Sequence, residues 1–307
     1  MAARAALLAI CAAVMLSCTP DFEAARQVTD LRVLAIRQEA LGPDGKPTGL
    51  ADAFVDFGAN TVQPVLISAL VADPHPHQRL SARGSVCQPT DSGRCEGVPA
   101  FGVSPFLSTE TKVEQLPQYR LDVASDVVKL ALEDDRLKGF GGIRVQFSMV
   151  ADDGDPHGPV QASKILLYTS APESARNANP EIDALEITRD GVVVARVAEG
   201  KTLPVVAGVE YGVRPLLKDG RGGVEEYDAV DLSGKAVHLR EAPRYSFFAT
   251  DPVGVDRDDA DEPLPEQPPP VNGIARFSVS RGTGTMWVVA RDGRGGIGWI
   301  SITFTAQ

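Results

Sequence analysis

Closely spaced carboxylates are the residues of this 307-residue chain that most directly suggest metal chemistry. Five acidic side chains lie within residues 256–262, and three lie within residues 152–155. Calcium takes about six to eight oxygen ligands, often from aspartates in a turn, but neither stretch has the spacing of an EF-hand loop. The competing interpretation is an acidic, solvated loop, because runs of like charge are usually solvated. The residues that the calcium hypothesis names are Asp256, Asp258, Asp259 and Asp261.

The pentapeptide DGRGG occurs twice, at 219–223 and at 292–296, and could be a phosphate loop, an RNA-binding motif or a turn. A phosphate loop lies between a strand and a helix, whereas the residues after Gly296, IGWISITF, are typical of a strand. RNA-binding RGG segments occur in basic tails, and the net charge of −11 excludes a basic face. Because Asp and Gly accept the dihedrals of tight turns, we predict a hairpin turn at 292–296. Arg294 then projects from the tip or folds back onto a carboxylate.

Nucleophilic catalysis has no recognisable motif in the chain, which lacks GxSxG, HExxH and SxxK patterns. A histidine without a base or nucleophile nearby in sequence is more often packed or exposed than catalytic. The 41 acidic residues leave a glycosidase with paired carboxylates open, because the separation of those pairs is not visible in the sequence. The histidines are His75, His77, His157 and His238.

The N-terminus has the features of an export signal. Arg4 precedes an apolar run of about a dozen residues, which is too short to span a bilayer. Residues 15–18, Met-Leu-Ser-Cys, resemble the lipobox of bacterial lipoproteins, with Met where that family prefers Leu. The resemblance implies that Cys18 becomes the lipidated N-terminal residue. In that family an Asp after the cysteine is the usual signal for retention in the inner membrane, and because this chain has Thr19 there, the outer membrane is favoured. The alternative is an ordinary signal peptide cleaved near Cys18 without lipid.

Two further cysteines, Cys87 and Cys95, bracket a loop that contains Pro, Ser and Gly. In an oxidising compartment this spacing predicts a local disulfide, which stabilises by about 2–3 kcal/mol through loop closure. A zinc site would need four ligands, and this stretch supplies no clear set.

Short segments rich in β-branched and aromatic residues follow one another along the chain, which predicts a mainly β protein. One helix is expected at 122–138, with Ser125 or Asp126 as its N-cap and a sheet edge as its packing partner. Acidic residues 133–135 in that helix are interpreted as a solvated face.

An internal repeat predicts two tandem immunoglobulin-like β-sandwiches, with the helix in the first. Each half opens with a strand, continues with a strand led by Thr and Pro, and ends in an apolar hairpin whose tip is rich in Asp and Gly. The predicted divisions are a signal peptide at 1–17, a tether at 18–28, a first sandwich at 29–170, a linker at 171–181 and a second sandwich at 182–307.

The closing hairpins resemble the last strands of PKD and related immunoglobulin-like domains, in which V-x-V-x-A-x-D-x-x-G-G joins two core strands. Together with the LRVLAI opening and the Cys-containing insert, they are similar to predicted bacterial lipoproteins built from such domains. The resemblance implies a β-sandwich and surface exposure, and it supplies no catalytic residues.

The expected function is that of a non-catalytic, lipid-anchored envelope lipoprotein that acts as a spacer or as a binding or adhesion platform. Expected partners are the membrane, through the N-terminal lipid, and an envelope protein, peptidoglycan or external polysaccharide, but no nucleic acid. The expected location is the outer membrane, on its periplasmic face or on the cell surface. The alternative is a carbohydrate-active or other hydrolase that uses loop carboxylates. Long loops at 74–120 and 251–273 are expected to carry function.

Overall fold

The computed structural model describes residues 26–77, 79–107, 112–135, 139, 141–230, 233–261 and 274–307, and it is mainly β, as predicted. Ten strands form two sheets in the first half. One sheet has the order β1-β4-β7 with β8 also paired to β4, and the other has the order β3-β2-β10-β9-β5-β6. The strands are β1 Arg32–Ala40, β2 Ala53–Asp56, β3 Thr61–Val62, β4 Val65–Ala72, β5 Ser81–Cys87, β6 Ala100–Val103, β7 Glu114–Gln115, β8 Gln118–Leu121, β9 Ile143–Asp152 and β10 Val160–Thr169.

The second half forms two five-stranded sheets, in the orders β12-β11-β14-β20-β18 and β13-β22-β21-β17-β19, and a separate hairpin of β15 and β16. The strands are β11 Ile182–Arg189, β12 Val192–Val197, β13 Thr202–Val205, β14 Glu210–Leu217, β15 Glu226–Val230, β16 Ala236–Arg240, β17 Arg244–Ala249, β18 Val253–Val255, β19 Asp259–Asp261, β20 Ala275–Val279, β21 Gly282–Arg291 and β22 Ile297–Ala306.

The two halves repeat one strand arrangement, that of tandem immunoglobulin-like sandwiches. In each half the last two strands form a long antiparallel hairpin, β9-β10 and β21-β22. In each half a short early strand pairs in parallel with the last strand, β2 with β10 and β13 with β22. The opening strand instead pairs with the facing sheet, so the chain changes sheets within its first strands. Greek-key sandwiches of the immunoglobulin type have this division of strands between two sheets.

Each sandwich has its own apolar core, because alternate residues of its strands point inward. In the first core, Tyr119 and Phe147 meet edge to face with ring centroids 5.0 Å apart. In the second core, the rings of Phe277 and Phe304 lie 4.7 Å apart.

The helix, α1, spans Ser125–Asp134 and is shorter at both ends than predicted. Its N-cap position is Ala124, with no side-chain cap, so the prediction of a Ser125 or Asp126 cap is wrong. The helix buries Val127, Val128 and Ala131 and packs against β9, an interior strand and not the predicted sheet edge. None of the helices in the described ranges is long and apolar enough to cross a membrane.

The prediction of long loops is wrong for much of 74–120, which contains β5 to β8. These strands are short and contain Gly and polar residues, so their local pattern is weak, and pairing with β4 and β9 supplies the missing order. The stretch 251–273 contains β18 and β19, and its residues 262–273 lie outside the described residues.

Candidate functional site

Both DGRGG loops contact the segment that joins the two sandwiches. We call this set of contacts the linker junction, which consists of segment 171–181, loop 219–223 and loop 292–296. The segment was expected to be an ordinary linker because of its Pro, Ser and Asn content, yet its residues 176–180 are buried. A connection with buried backbone must satisfy its polar groups internally. Residues 49–52 of the first sandwich supply several of these partners, since the N–H groups of Asn177 and Asn179 donate to Asp52 and to the Gly49 carbonyl.

The loop at 292–296 is the five-residue turn between β21 and β22, which confirms the hairpin prediction. Asp292 is 3 % exposed and holds the turn together. Its Oδ1 atom accepts hydrogen bonds from the backbone N–H groups of Arg294, Gly295 and Gly296 at 2.7, 3.0 and 3.0 Å. The carboxylate of this motif therefore serves its own loop.

The asparagines of the linker join this turn to the first sandwich. Asn177 donates through Nδ2 to Asp292 Oδ2 at 2.7 Å, and its backbone N–H donates to Asp52 Oδ2 at 3.1 Å. Asn179 donates to the Gln38 carbonyl at 2.7 Å and accepts a hydrogen bond from the N–H of Ile297 at 2.9 Å. Each asparagine thus bonds to both sandwiches.

The other copy, at 219–223, bonds to both ends of the segment. Arg221 donates to the carbonyls of Glu173 and Arg176 at 2.6 and 3.3 Å. Gly222, with φ of +84°, accepts a hydrogen bond from the N–H of Glu181 at 2.7 Å. A residue with a side chain is strained at such a φ, so glycine suits this close approach.

Arg294 folds back onto carboxylates, one of the two outcomes expected from the sequence. Its guanidinium lies 3.0 Å from Glu241 and 3.5 Å from Glu225, and it stacks 4.0 Å above the ring of Tyr227. Its side chain is 18 % exposed, so the ion pairs are shielded from water.

Burial shifts the pKa values of several ionisable groups at the junction. Burial raises the pKa of Glu241 to about 7 and raises the pKa of Asp52 and Asp292 above the ordinary range. Burial lowers the pKa of Lys164 to about 8, and its Nζ donates to the carbonyl of Gly295.

An apolar layer lies beside the polar contacts and joins the sandwiches directly. Trp287 is fully buried and donates through Nε1 to Glu114 at 2.7 Å, and the Arg37 guanidinium lies 4.5 Å from the centre of the Trp299 ring. The buried members of the layer are Val28, Leu34, Ala35, Leu70, Ala72, Trp287, Val289 and Ile297.

The N-terminal segment enters the protein at this layer. Val28 is 1 % exposed and donates its N–H to the carbonyl of Ala249, whose own N–H donates to the carbonyl of Arg26. Residues 26–28 thus run beside β17 of the second sandwich before the chain enters β1 of the first.

The cysteines named from the sequence fall in two categories. Cys87 and Cys95 form a disulfide with a Cα–Cα distance of 5.6 Å. Cys18, the predicted lipidation site, lies outside the described residues.

The four aspartates of the calcium hypothesis are not brought together as a metal site. Asp259 and Asp261 both pair with Arg244, at 3.5 and 2.9 Å. Asp256 accepts a hydrogen bond from the backbone N–H of Arg276 at 2.8 Å. Asp258 lies between them in sequence, and none of the four belongs to the group of possible metal ligands found in the described part of the chain.

The linker junction connects the two sandwiches through buried hydrogen bonds of Asn177, Asn179 and Asp292. Sequence reasoning missed Asn177 and Asn179 because a polar residue in a linker is usually solvated. It missed Asp52 and Glu241 because their partners, Asn177 and Arg294, are distant in sequence. The repeated DGRGG was the available signal, since both copies pack on the same segment. The fold and this junction define a protein of two immunoglobulin-like sandwiches fixed to each other.

Comparisons with known proteins add little to this description. No family model and no curated protein matches the chain. A Drosophila receptor tyrosine phosphatase Ig1-2 module is 11 % identical, covers 91 % of this chain and 99 % of its own, and has a TM-score of 0.22. An adhesin of Mobiluncus mulieris with internal cross-links is 12 % identical, with 89 % and 99 % coverage and a TM-score of 0.23. The N-terminal region of an enterococcal surface protein is 7 % identical, with 93 % and 97 % coverage and a TM-score of 0.27.

Proposed function

We propose that this protein is a non-catalytic, lipid-anchored envelope protein that acts as a rigid binding platform. The observation that carries the proposal is the linker junction, because buried hydrogen bonds and an apolar layer fix both sandwiches to one short segment. Domains joined by an exposed linker move relative to each other by default, and the burial of residues 176–180 removes that freedom.

The entry point of the N-terminal segment favours a platform over a spacer. If Cys18 carries lipid, seven residues separate it from Arg26, and the eight fully extended steps from Cys18 to Arg26 span at most about 29 Å. Since Val28 is held at the boundary of the two sandwiches, the anchor keeps both of them near the membrane. A spacer would instead be anchored at one end.

The buried carboxylates favour the platform over the hydrolase alternative, because their oxygens already accept hydrogen bonds within the protein. Asp292 accepts four hydrogen bonds, and Glu241 accepts from Arg294 and from the N–H of Glu225. A catalytic carboxylate must reach a substrate, and these two are occupied by neighbouring groups.

A contact surface for the partner is proposed at the edge of the first sandwich. Phe101 on β6 and Phe106, which follows β6 in sequence, are 56 % and 67 % exposed. Phe101 also lines a cavity of about 150 Å³ together with Val103, Leu121 and Val127. Exposed aromatic groups on a sheet edge suit an envelope protein or a polysaccharide as partner. Loss of cosedimentation with outer-membrane vesicles or purified peptidoglycan in the Phe101→Ala, Phe106→Ala variant would support this surface.

Anchoring is tested by labelling cells with radioactive palmitate. Label should enter the wild-type protein and a Cys11→Ala variant, and should be absent from Cys18→Ala, which should leave the membrane fraction. Equal label in Cys18→Ala would refute the anchor. The absence of an Asp at position 19 supports the outer membrane, and sucrose-gradient separation of the two membranes tests that location.

A further inference from the structure

Two of the chain's histidines lie near aspartates at one edge of the first sandwich, away from the linker junction. The turn between β9 and β10 supplies Asp153, Asp155 and His157, the segment after β4 supplies Asp73 and His77, and Asp30 lies two residues before the start of β1. We call these residues the carboxylate–histidine cluster: Asp30, Asp73, His77, Asp153, Asp155 and His157.

Asp155 is the centre of the cluster because imidazoles lie on both of its carboxylate oxygens. Its Oδ1 atom is 2.8 Å from Nδ1 of His157, and its Oδ2 atom is 3.4 Å from Nδ1 of His77. Ligand atoms of Asp30, Asp155 and His157 all lie within 4.8 Å of one another. Two ligands on one tetrahedral zinc ion, at bonds of about 2.0–2.1 Å, lie roughly 3.3 Å apart, so the donors already have suitable spacing.

On its buried side the cluster holds two carboxyl groups, and the imidazole of His77 lies beside one of them, with Nδ1 3.3 Å from Oδ2 of Asp153. Asp73 and Asp153 are 2 % and 1 % exposed, and the two carboxyl groups lie against each other. The Oδ2 atom of Asp73 has no hydrogen-bond partner. Within the described ranges, no Lys or Arg forms an ion pair with Asp73, Asp153 or Asp155. Buried carboxylates require a proton, a basic partner or a metal ion.

We propose that this cluster binds a divalent transition-metal ion of the zinc class, with Asp30, Asp155 and His157 as ligands and with His77 beside them, its Nδ1 atom 3.4 Å from Oδ2 of Asp155. The mixture of nitrogen and carboxylate donors selects such an ion over calcium, which takes oxygen ligands. Asp153 accepts a hydrogen bond from the backbone N–H of His77 at 3.2 Å and orients that residue. Asp73 and Asp153 add the negative charge that attracts the cation.

The bound ion would connect parts of the chain that are distant in sequence. Asp30 belongs to the N-terminal segment, whereas Asp155 and His157 belong to the β9-β10 turn. The ion would therefore fasten the segment that leads from the proposed anchor to the first sandwich.

Isothermal titration with zinc chloride on the full chain, tag-free, in detergent and after dialysis against chelator, tests the site. Cys11→Ser and Cys18→Ser in the background remove thiols that would compete for zinc. We expect one zinc ion per chain, and calcium should give no heat at the same concentrations. His157→Ala should weaken zinc binding at least about tenfold without unfolding the protein, because its side chain is 79 % exposed.

His238→Ala is the matched control, since His238 is also exposed and also lies beside two carboxylates, Asp228 and Glu226, yet belongs to no convergent group of ligands. It should leave the zinc titration unchanged. Absence of zinc heat, equal binding by wild type and His157→Ala, or an equal loss in His238→Ala would each overturn the proposal. Tight calcium binding without zinc binding would overturn the assigned class of metal.

Discussion

Replacing Asp292 with alanine tests the account of the linker junction, because the same pentapeptide occurs again at 219–223 in a different environment. Asp292 is buried and accepts four hydrogen bonds, whereas Asp219, the equivalent residue of the other copy, is exposed. The variants Asp292→Ala and Asp219→Ala thus make one chemical change in two physical settings.

The expected loss of unfolding free energy in Asp292→Ala follows from the hydrogen-bond donors that are left without an acceptor. Two of them, the Gly296 N–H and Asn177 Nδ2, are buried and cost about 1–3 kcal/mol each, while the other two can turn to water. Removing a carboxylate whose burial is unfavourable, as its raised pKa indicates, offsets part of this cost. The unfolding free energy should therefore fall by about 2–4 kcal/mol in Asp292→Ala and by less than about 0.5 kcal/mol in Asp219→Ala.

Urea unfolding followed by tryptophan fluorescence measures this difference, because Trp287 is buried in the apolar layer of the junction. Asp292→Asn, which keeps the side-chain shape but replaces one acceptor with a donor, should fall between wild type and Asp292→Ala. Equal unfolding curves for the two alanine variants would refute the reasoning, since the buried hydrogen bonds would then contribute nothing measurable.

Further predictions concern close packing, pH and the disulfide. Gly298→Ala should destabilise the protein by more than about 2 kcal/mol in thermal unfolding, because its Cβ would overlap a backbone carbonyl of the linker, whereas Gly254→Ala has open space and should change little. The pKa of Glu241 rises from 4.5 to about 7 on folding, so the folded protein retains a proton that the unfolded chain releases, and stability should fall as the pH rises through this window. The unfolding free energy, measured with urea, should fall from pH 5 to pH 8, and this fall should be smaller in Glu241→Gln than in wild type by about 2 kcal/mol. An equal fall in both proteins would contradict the buried state of Glu241. Reduction of Cys87–Cys95 should lower the unfolding free energy by about 2.6 kcal/mol, and a thiol probe should label the native protein only after reduction.

The strands were predictable because their pattern is local. The segments IRVQFSMVA and MWVVAR contain the β-branched and aromatic residues that strands favour, and both became core strands, β9 and β21. The segment AFGV became β6 only because β5 pairs with it, and no local pattern marks such a strand. The repeat of strands was visible for the same local reason.

Of the linker junction, the sequence predicted the hairpin turn but not the buried contacts of the linker asparagines. The hairpin turn at 292–296 follows from the dihedral preferences of Asp and Gly. The burial of Asn177 and Asn179 depends on partners that are more than a hundred residues away in sequence, among them Asp292 and Gln38. The carboxylate–histidine cluster likewise depends on the contact of the 73–77 segment with the β9-β10 turn.

The path of residues 26–28 imposes an order of assembly on the chain during synthesis. Val28 packs with Trp287, Val289 and Ile297, which belong to the last two strands, and it bonds to Ala249 of β17. The N-terminal segment therefore has no packing partner until almost the entire chain has been synthesised, although the first sandwich has all of its own strands by residue 169. A nascent chain would expose the apolar side of β1 and β4 until β22 is complete, so this surface is where a chaperone would be needed and where premature contacts would form.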